Sequence, residues 1–389
     1  MSSKYNFFCL GNPGCNIGDV AAMYGIVYGL HEIFPNSRLC VSYSGEADCS
    51  GINNFVSSFF HDEEIFSKKG IINLALAKFG FKKSCAYDEI KKANVIIFAP
   101  GACGLHKDNF YHWIKLYFCL RLLKNTNNKI VFHGCSMGPF LGHKTLFRKI
   151  MNLVDLTTLR DYTSKKNLEK AGLYSDDYYI TGDSAMILPS GENLYKPHIT
   201  KKIIGITPID FSKMNFKDVK TKTGYITDCI VNAIQSIKKE YNISEIHFIA
   251  HTPGDVAERT VINDIASRID IDYKIIEHTS PFEAFNEYRQ LFLCISARHH
   301  GGAFSLKMGV PCICIGYEHK AKGFFEHYGL EKYVINASDV SADVLIEKIR
   351  ECINNRDEIL NCISRFNEKV ALDAKKNTAY IWEMLEKNR

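Results

Sequence analysis

The sequence has 14 cysteines but no CxxC pair. That absence excludes metal knuckles and paired redox thiols of that spacing. The nearest pair is Cys312 and Cys314, whose side chains fall on one face of a strand. Most of the others, Cys9, Cys135, Cys229 and Cys294 among them, lie in apolar runs, where cysteine serves as a small core residue. Unpaired cysteine in this number suits a reducing compartment. Residues Met1 to Leu10 lack the basic start and long apolar stretch of a signal peptide. No apolar run approaches the roughly 20 residues that span a bilayer. The expectation is a cytoplasmic protein that can work at the inner face of a membrane. No GK[ST] follows the first glycine loop and GxGxxG is missing, so neither phosphate-binding fingerprint applies. HExxH is also missing, and the adjacent His299 and His300 diverge rather than share a helix face, so no required metal is expected. Charge is nearly balanced, with 48 basic and 43 acidic residues. This excludes the concentrated positive charge of a nucleic-acid binder but permits a local basic pocket.

What is present points to an α/β protein. A chain of 389 residues suits two domains of about 150 to 200 residues each. Short apolar runs end in glycine loops and lead into helical patterns. Tyr5 to Leu10 precedes Gly11 to Asp19, Val95 to Ala99 precedes Pro100 to Gly104, and Ile130 to Phe132 precedes His133 to Pro139. Strands of this kind form parallel sheets, and ligands bind at their carboxyl ends. Residues 190–202 read as a linker, after which Ile203–Ile206, Ile246–Ala250, Leu291–Ser296 and Cys312–Gly316 restart the strand pattern. The predicted domains are 1–192 and 203–370, with a last helix, 371–389, that is a candidate to cross back onto the first. Ser338 is the expected cap of a helix running to Asn354.

Four segments could carry chemistry. Asn16, Gly18 and Asp19 form either an acceptor-binding loop or a plain turn with Asp19 as helix cap. His133, read at a strand's end, is either a proton carrier or a satisfied sheet histidine. Arg160 could grip a carboxylate or phosphate, or simply pair with Asp161, itself a candidate helix cap. The strongest cluster is Ser296-Ala297-Arg298-His299-His300-Gly301-Gly302. Cationic and titratable groups at the end of a buried strand are costly unless they face a cleft. Tyr317, His319, Lys320 and Lys322 follow the next strand and should lie beside it. A further stretch, His112 to Lys124, is aromatic and basic. It reads as a membrane-surface helix or, being apolar nearly all round, as a buried one, which is the reading favoured.

These motifs together resemble the polysaccharide pyruvyltransferase family. Ser296-x-Arg298-x-His300 followed by Gly309-x-Pro311 is similar to its C-terminal signature. Asn16-x-Gly18-Asp19-x-Ala21 resembles its opening loop. Gly134-x-x-x-Gly138-Pro139, Arg160-Asp161-x-x-Ser164, Asp183-x-Ala185 and Tyr317-x-x-Lys320 follow in the family's order, so the resemblance covers roughly residues 5–335. His299 stands where the family usually has leucine, and Thr207-Pro208 replaces more usual polar or basic residues. The resemblance implies two Rossmann-like domains with parallel sheets facing a central cleft, as in GT-B enzymes. It implies phosphoenolpyruvate as co-substrate and no further cofactor. The pyruvyl unit would pass to a sugar of a cell-surface glycan or its precursor, free or lipid-linked, forming a ketal. In these terms Arg298, Arg160, Lys320, Ser296, His299 and Tyr317 take the donor. His300 and then His133 move protons, and Asn16, Gly18 and Asp19 face the acceptor. Two other readings stay open: a nucleotide-sugar glycosyltransferase, with Glu318 on the donor ribose, and a non-catalytic glycan binder.

Overall fold

The structure, a computed structural model, describes residues 5–11, 16–43, 52–61, 65, 67–106, 109–190, 201–213 and 223–387. Most of the expected linker and residues 12–15 of the first glycine loop lie outside them. Contacts divide the chain into two compact units. The first takes residues 1–14, 19–188 and 370–389, and the second takes 15–18 and 189–369.

The first unit is built on β1 (Asn6–Leu10), β2 (Arg38–Tyr43), β3 (Ser58–His61), β4 (Val95–Phe98), β5 (Lys129–Cys135), β6 (Leu156–Leu159) and β7 (Tyr178–Ile180). Their order is β3-β2-β1-β4-β5-β6-β7, and each described pairing is parallel. Its helices are α1 (Ile17–Ile33), α2 (Lys68–Lys78), α3 (Cys85–Lys92), α4 (Phe110–Leu123), α5 (Lys144–Met151) and α6 (Tyr162–Ala171). Residues of α2 to α6 share one core with Phe8, Leu10, Ile96, Phe98, Ile130 and Phe132, the alternate residues of three strands. The two-sided burial of β1 and β4 explains why these strands read as unbroken apolar runs.

Helix α4 departs from the favoured reading. Trp113, Leu116, Cys119, Leu120 and Leu123 face the core, but Tyr111 and Phe118 face outward. Two other expectations shift by one turn. Asn16, not Asp19, precedes α1 and accepts the Gly18 N–H at 2.9 Å. Asp19 sits in the first turn, three residues on, as in a capping box. Likewise Ser341, not Ser338, caps α12 (Ala342–Asn354).

The second unit is built on β8 (Ile203–Thr207), β9 (Glu245–Ala250), β10 (Tyr273–Glu277), β11 (Leu293–Ser296), β12 (Cys312–Gly316) and β13 (Val334–Asn336). The order β10-β9-β8-β11-β12-β13 repeats the doubly wound pattern, again with parallel pairings. Its helices include α7 (Thr223–Glu240), α8 (Val256–Ala266), α9 (Pro281–Tyr288), α10 (His299–Lys307), α11 (His319–Glu326) and α12. In each sheet the strand order reverses beside the first strand, between β1 and β4 and between β8 and β11. Loops that follow strands at such a switch point form the ordinary ligand crevice of this architecture.

Helix α13 (Arg356–Glu386) closes the chain, and from Val370 onward it belongs to the first unit. Asn377 on this helix is fully buried. Its Nδ2 donates to the carbonyls of Gly182 (2.9 Å) and Ala374 (2.8 Å). Its Oδ1 accepts from the Thr181 hydroxyl at 2.7 Å and from the Thr158 hydroxyl. Among the described residues, no helix is long and apolar enough to cross a membrane.

Candidate functional site

In the second unit the expected cluster lies at the switch point. Ser296 ends β11, next to Thr207 at the end of β8. The two hydroxyl oxygens are 2.5 Å apart. Ser296 Oγ donates to the Arg298 carbonyl (2.7 Å) and accepts the Arg298 N–H (3.2 Å). Its single proton is thus used, and Thr207 donates to it. Ser296 is fully buried and fully occupied, so it shapes the turn rather than reaching a ligand. Gly301 makes this packing possible. A Cβ there would fall 2.4 Å from Ser296 Oγ and 2.6 Å from Thr207 Oγ1.

The turn delivers Arg298 to the N-terminus of α10. There its side chain lies 3.3 Å from Glu258 Oε1 and keeps 17% exposure, while Glu258 is 1% exposed. Glu258 comes from the first turn of α8 and accepts the N–H groups of His251 (3.1 Å) and Thr252 (2.9 Å). Burial pushes its carboxyl up from the ordinary range, and Arg298 with the two N–H groups offsets this only in part. His251 is buried at the end of β9, its Nε2 2.7 Å from the Tyr288 hydroxyl, its ring stacked on Phe304. Burial first, then Arg298 and His300, hold this imidazole well below its ordinary range, so it stays neutral. Arg298 Nε has no hydrogen-bond partner among the described residues. The guanidinium therefore retains donors for a further anion.

His300 and His299 do not diverge as expected: their rings meet edge-on, 4.8 Å between centroids. His299 packs edge-on to Phe324 of α11 (5.6 Å between centroids) and His300 packs against Phe304 (5.9 Å). Residues 16–18 cluster with this unit. A Cβ on Gly18 would lie 2.2 Å from His300 Nδ1, so glycine is required for the backbone to meet that ring. The Ile17 N–H donates to the His251 carbonyl (2.8 Å), and Asn16 Nδ2 approaches Thr252 Oγ1 (3.4 Å). Two stretches far apart in sequence, 16–18 and 298–300, thus meet. The next strand, β12, pairs with β11 and carries Tyr317 and Lys320 after it. Tyr317 meets Phe211 edge-on at 6.1 Å, and Lys320 pairs with Glu318 at 3.0 Å.

The first unit's candidates form a different kind of group. Arg160 follows β6 and is 6% exposed. It donates from Nε to Ser136 Oγ (2.8 Å) and from Nη1 to Asp183 Oδ2 (2.5 Å). Ser136 donates to Asp161 (2.6 Å), and Asp161 caps α6 through the Ser164 N–H (2.7 Å), as its position implied. Burial alone would lower the Arg160 pKa, but Asp183 and Asp161 outweigh it and raise it. Its charge is already answered inside the protein, so the expected donor contact is not carried further. His133 is corrected as well. It lies within β5, two residues before the end, where a bulge at Gly134 disturbs the pairing with β6. It is fully buried, Nδ1 3.0 Å from Ser184 Oγ, and burial pushes its pKa down to about 3. A histidine sealed in this way does not fit proton transfer with a ligand. Asp19 faces Gly101 after β4, on the first unit's own switch point.

Glu258, His251, Tyr288 and Thr207 are the residues that sequence reasoning missed. Glu258 reads there as an ordinary first-turn acid, favourable to the helix dipole. Only its spacing of seven residues from His251, across a Pro-Gly turn, hints that it folds back on the loop.

Comparison with known proteins gives a family, a relative and similar folds. The pattern of the polysaccharide pyruvyl transferase family matches residues 16–319. The amylovoran biosynthesis protein AmsJ of Erwinia amylovora is 23% identical over 265 residues, 63% of this chain and 63% of that protein. Among solved structures, a Listeria monocytogenes protein assigned as a UDP-N-acetylglucosamine 2-epimerase superposes with a TM-score of 0.66 at 11% identity. The match covers 99% of this chain and 98% of that one. The UDP-GlcNAc 2-epimerase of Neisseria meningitidis, bound to UDP-GlcNAc, gives 0.62 at 13% identity, covering 98% and 99%. These likenesses show a GT-B-like fold.

Proposed function

This chain belongs to the polysaccharide pyruvyl transferase family, and we propose that it moves the pyruvyl group of phosphoenolpyruvate onto two hydroxyls of one sugar in a cell-surface glycan or its precursor. The observation that carries this reading is Arg298 at the N-terminus of α10, with His300 two residues on and the Gly18 backbone against the His300 ring. The donor bears a carboxylate and a phosphate. A guanidinium with unused donors and a helix N-terminus suit both groups.

In the scheme, His300 gives a proton to the vinyl carbon of the donor and the neighbouring carbon becomes electrophilic. One sugar hydroxyl adds there and loses its proton. The bond from that carbon to the phosphate oxygen breaks, phosphate leaves, and the second hydroxyl closes the ketal with loss of its own proton. Lys320, Tyr317 and His299 complete the donor side, and Asn16, Gly18 and Asp19 meet the acceptor. Ser296 and Thr207 hold the turn, and Glu258 orients Arg298. The cations Arg298 and Lys320 supply the charge that phosphoryl chemistry often takes from a metal, so none is required.

The fold neighbours favour one rival, because the Neisseria enzyme holds UDP-GlcNAc. Calorimetry with phosphoenolpyruvate and with UDP-GlcNAc separates the two readings. Binding of the first alone is expected, and binding of the nucleotide sugar alone would overturn the proposal. Release of inorganic phosphate from phosphoenolpyruvate in the presence of an oligosaccharide acceptor then distinguishes an enzyme from a glycan binder.

A further inference from the structure

We propose that the outer layer of the first unit, formed by α2, α4 and α5, docks on an anionic membrane surface. Eight of the 13 large exposed hydrophobic residues described lie between Ile72 and Leu141. Five lie on α2 and α4, and Phe79, Phe81 and Leu141 lie just after α2 and just before α5, which are neighbours of α4. Lys78 of α2 donates to the Leu122 carbonyl of α4 at 2.7 Å, and Trp113 of α4 meets Phe147 of α5 at 6.1 Å. Phe79 and Phe81 project at one end of this layer, Phe118 along it, and Tyr111 and Leu141 toward the other end.

The tip at Phe79 and Phe81 is ordered by its own hydrogen bonds. Gly80 takes φ +78°, its N–H donates to the Ala77 carbonyl (3.1 Å), and the Phe81 N–H donates to the Leu76 carbonyl (2.8 Å). This is a Schellman close, which ordinarily shelters an apolar contact between the residue after the glycine and the last helical turn. Here Phe81 is 79% exposed and Phe79 68%. Two rings are therefore held out in water by a fixed backbone, an arrangement that marks an interaction surface.

Charge selects the partner. Residues 67–154 contain 15 Lys and Arg against 3 Asp and Glu, while the whole chain has 48 against 43. Lys68, Lys69, Lys82, Lys83 and Arg121 are exposed among the apolar tips. Of the acidic residues described there, Asp88 and Glu89, the latter pairs with Arg38 and Lys92. Aromatic and aliphatic tips set among lysines match the headgroup boundary of an anionic bilayer, where rings insert and cations meet lipid phosphates.

Co-sedimentation of the full chain with vesicles tests this. Binding to mixed phosphatidylglycerol and phosphatidylcholine vesicles, and much less to phosphatidylcholine alone, is expected. The double variants Phe79→Ser/Phe81→Ser and Lys82→Glu/Lys83→Glu should each partition about tenfold less, with unchanged melting curves because the side chains are exposed. A wild-type chain that stays in the supernatant, or variants that bind equally, would overturn the proposal. So would a solution dimer that the phenylalanine variant dissociates without any vesicle binding, since the patch would then join two copies of the chain. The assay needs neither donor nor sugar, so its outcome is independent of the transfer reaction.

Discussion

The two units place the same residue types at the ends of parallel strands and use them in opposite ways. In the first, Arg160 meets Asp183 and Ser136 in a sealed network that also holds Asp161. In the second, Arg298 has a carboxylate at 3.3 Å, an Nε without a partner among the described residues, and measurable exposure. The histidines divide in the same way. His133 is closed inside a strand, whereas His300 lies at a helix N-terminus against a glycine backbone. A charged residue in a motif becomes structural when its neighbours saturate it. It remains available for chemistry when they leave donors unused.

Substitutions can break this contrast. Arg160→Ala removes the buried ion pair of Asp183 and should cost about 3–5 kcal/mol in denaturant unfolding. Arg298→Ala should cost less than half as much, because Glu258 keeps two backbone donors. Equal losses would erase the distinction. His133 offers a pH test. Its folded pKa of about 3 lies below the unfolded value near 6.5, so its contribution is complete above pH ~6.5 and is lost as pH falls toward 3. Replacing it with asparagine should flatten the stability–pH curve in that window by up to about 5 kcal/mol, read from unfolding midpoints at several pH values.

Donor affinity sharpens the other side of the contrast. Arg298→Ala should weaken phosphoenolpyruvate binding about 30-fold by calorimetry, the scale of one charge-assisted contact. His300→Ala should lower turnover and leave that affinity nearly intact, and an unchanged turnover would remove it as proton donor. Gly18→Ala forces a Cβ into the His300 ring. It should reduce turnover about tenfold through misplacement alone. The smallest effect expected is that of a chelator, which should leave phosphate release unchanged.

Much of the fold is legible in sequence because doubly buried strands are apolar throughout. β4 and β12 read this way, and β1, β8 and β11 do so apart from one polar residue at an end. The edges do not. β10, an edge strand, is largely exposed, and even the interior strand β6 reads Leu-Thr-Thr-Leu, with Thr158 bonded to Asn377 and to the Gly134 N–H. The Ser296–His300 cluster is equally visible, since charge at a buried strand's end is rare. What sequence cannot supply is saturation. Arg160 and Arg298 look alike until Asp183, 23 residues from the one, and Glu258, 40 residues from the other, are brought beside them. Helix caps fail for a smaller reason. Asn16 and Asp19, or Ser338 and Ser341, are all competent caps one turn apart, and the packing of the helix decides between them.

Asn377 has a consequence for the order of events during synthesis. Thr158 and Thr181 leave the ribosome early, but the side chain that satisfies both is added nearly 200 residues after the latter. At about 5–20 residues per second, the nascent first unit waits on the order of 10–40 seconds with that seam open. Residues 189–369, nearly all of the second unit, are translated within this interval, so that stretch can fold before the first unit is complete.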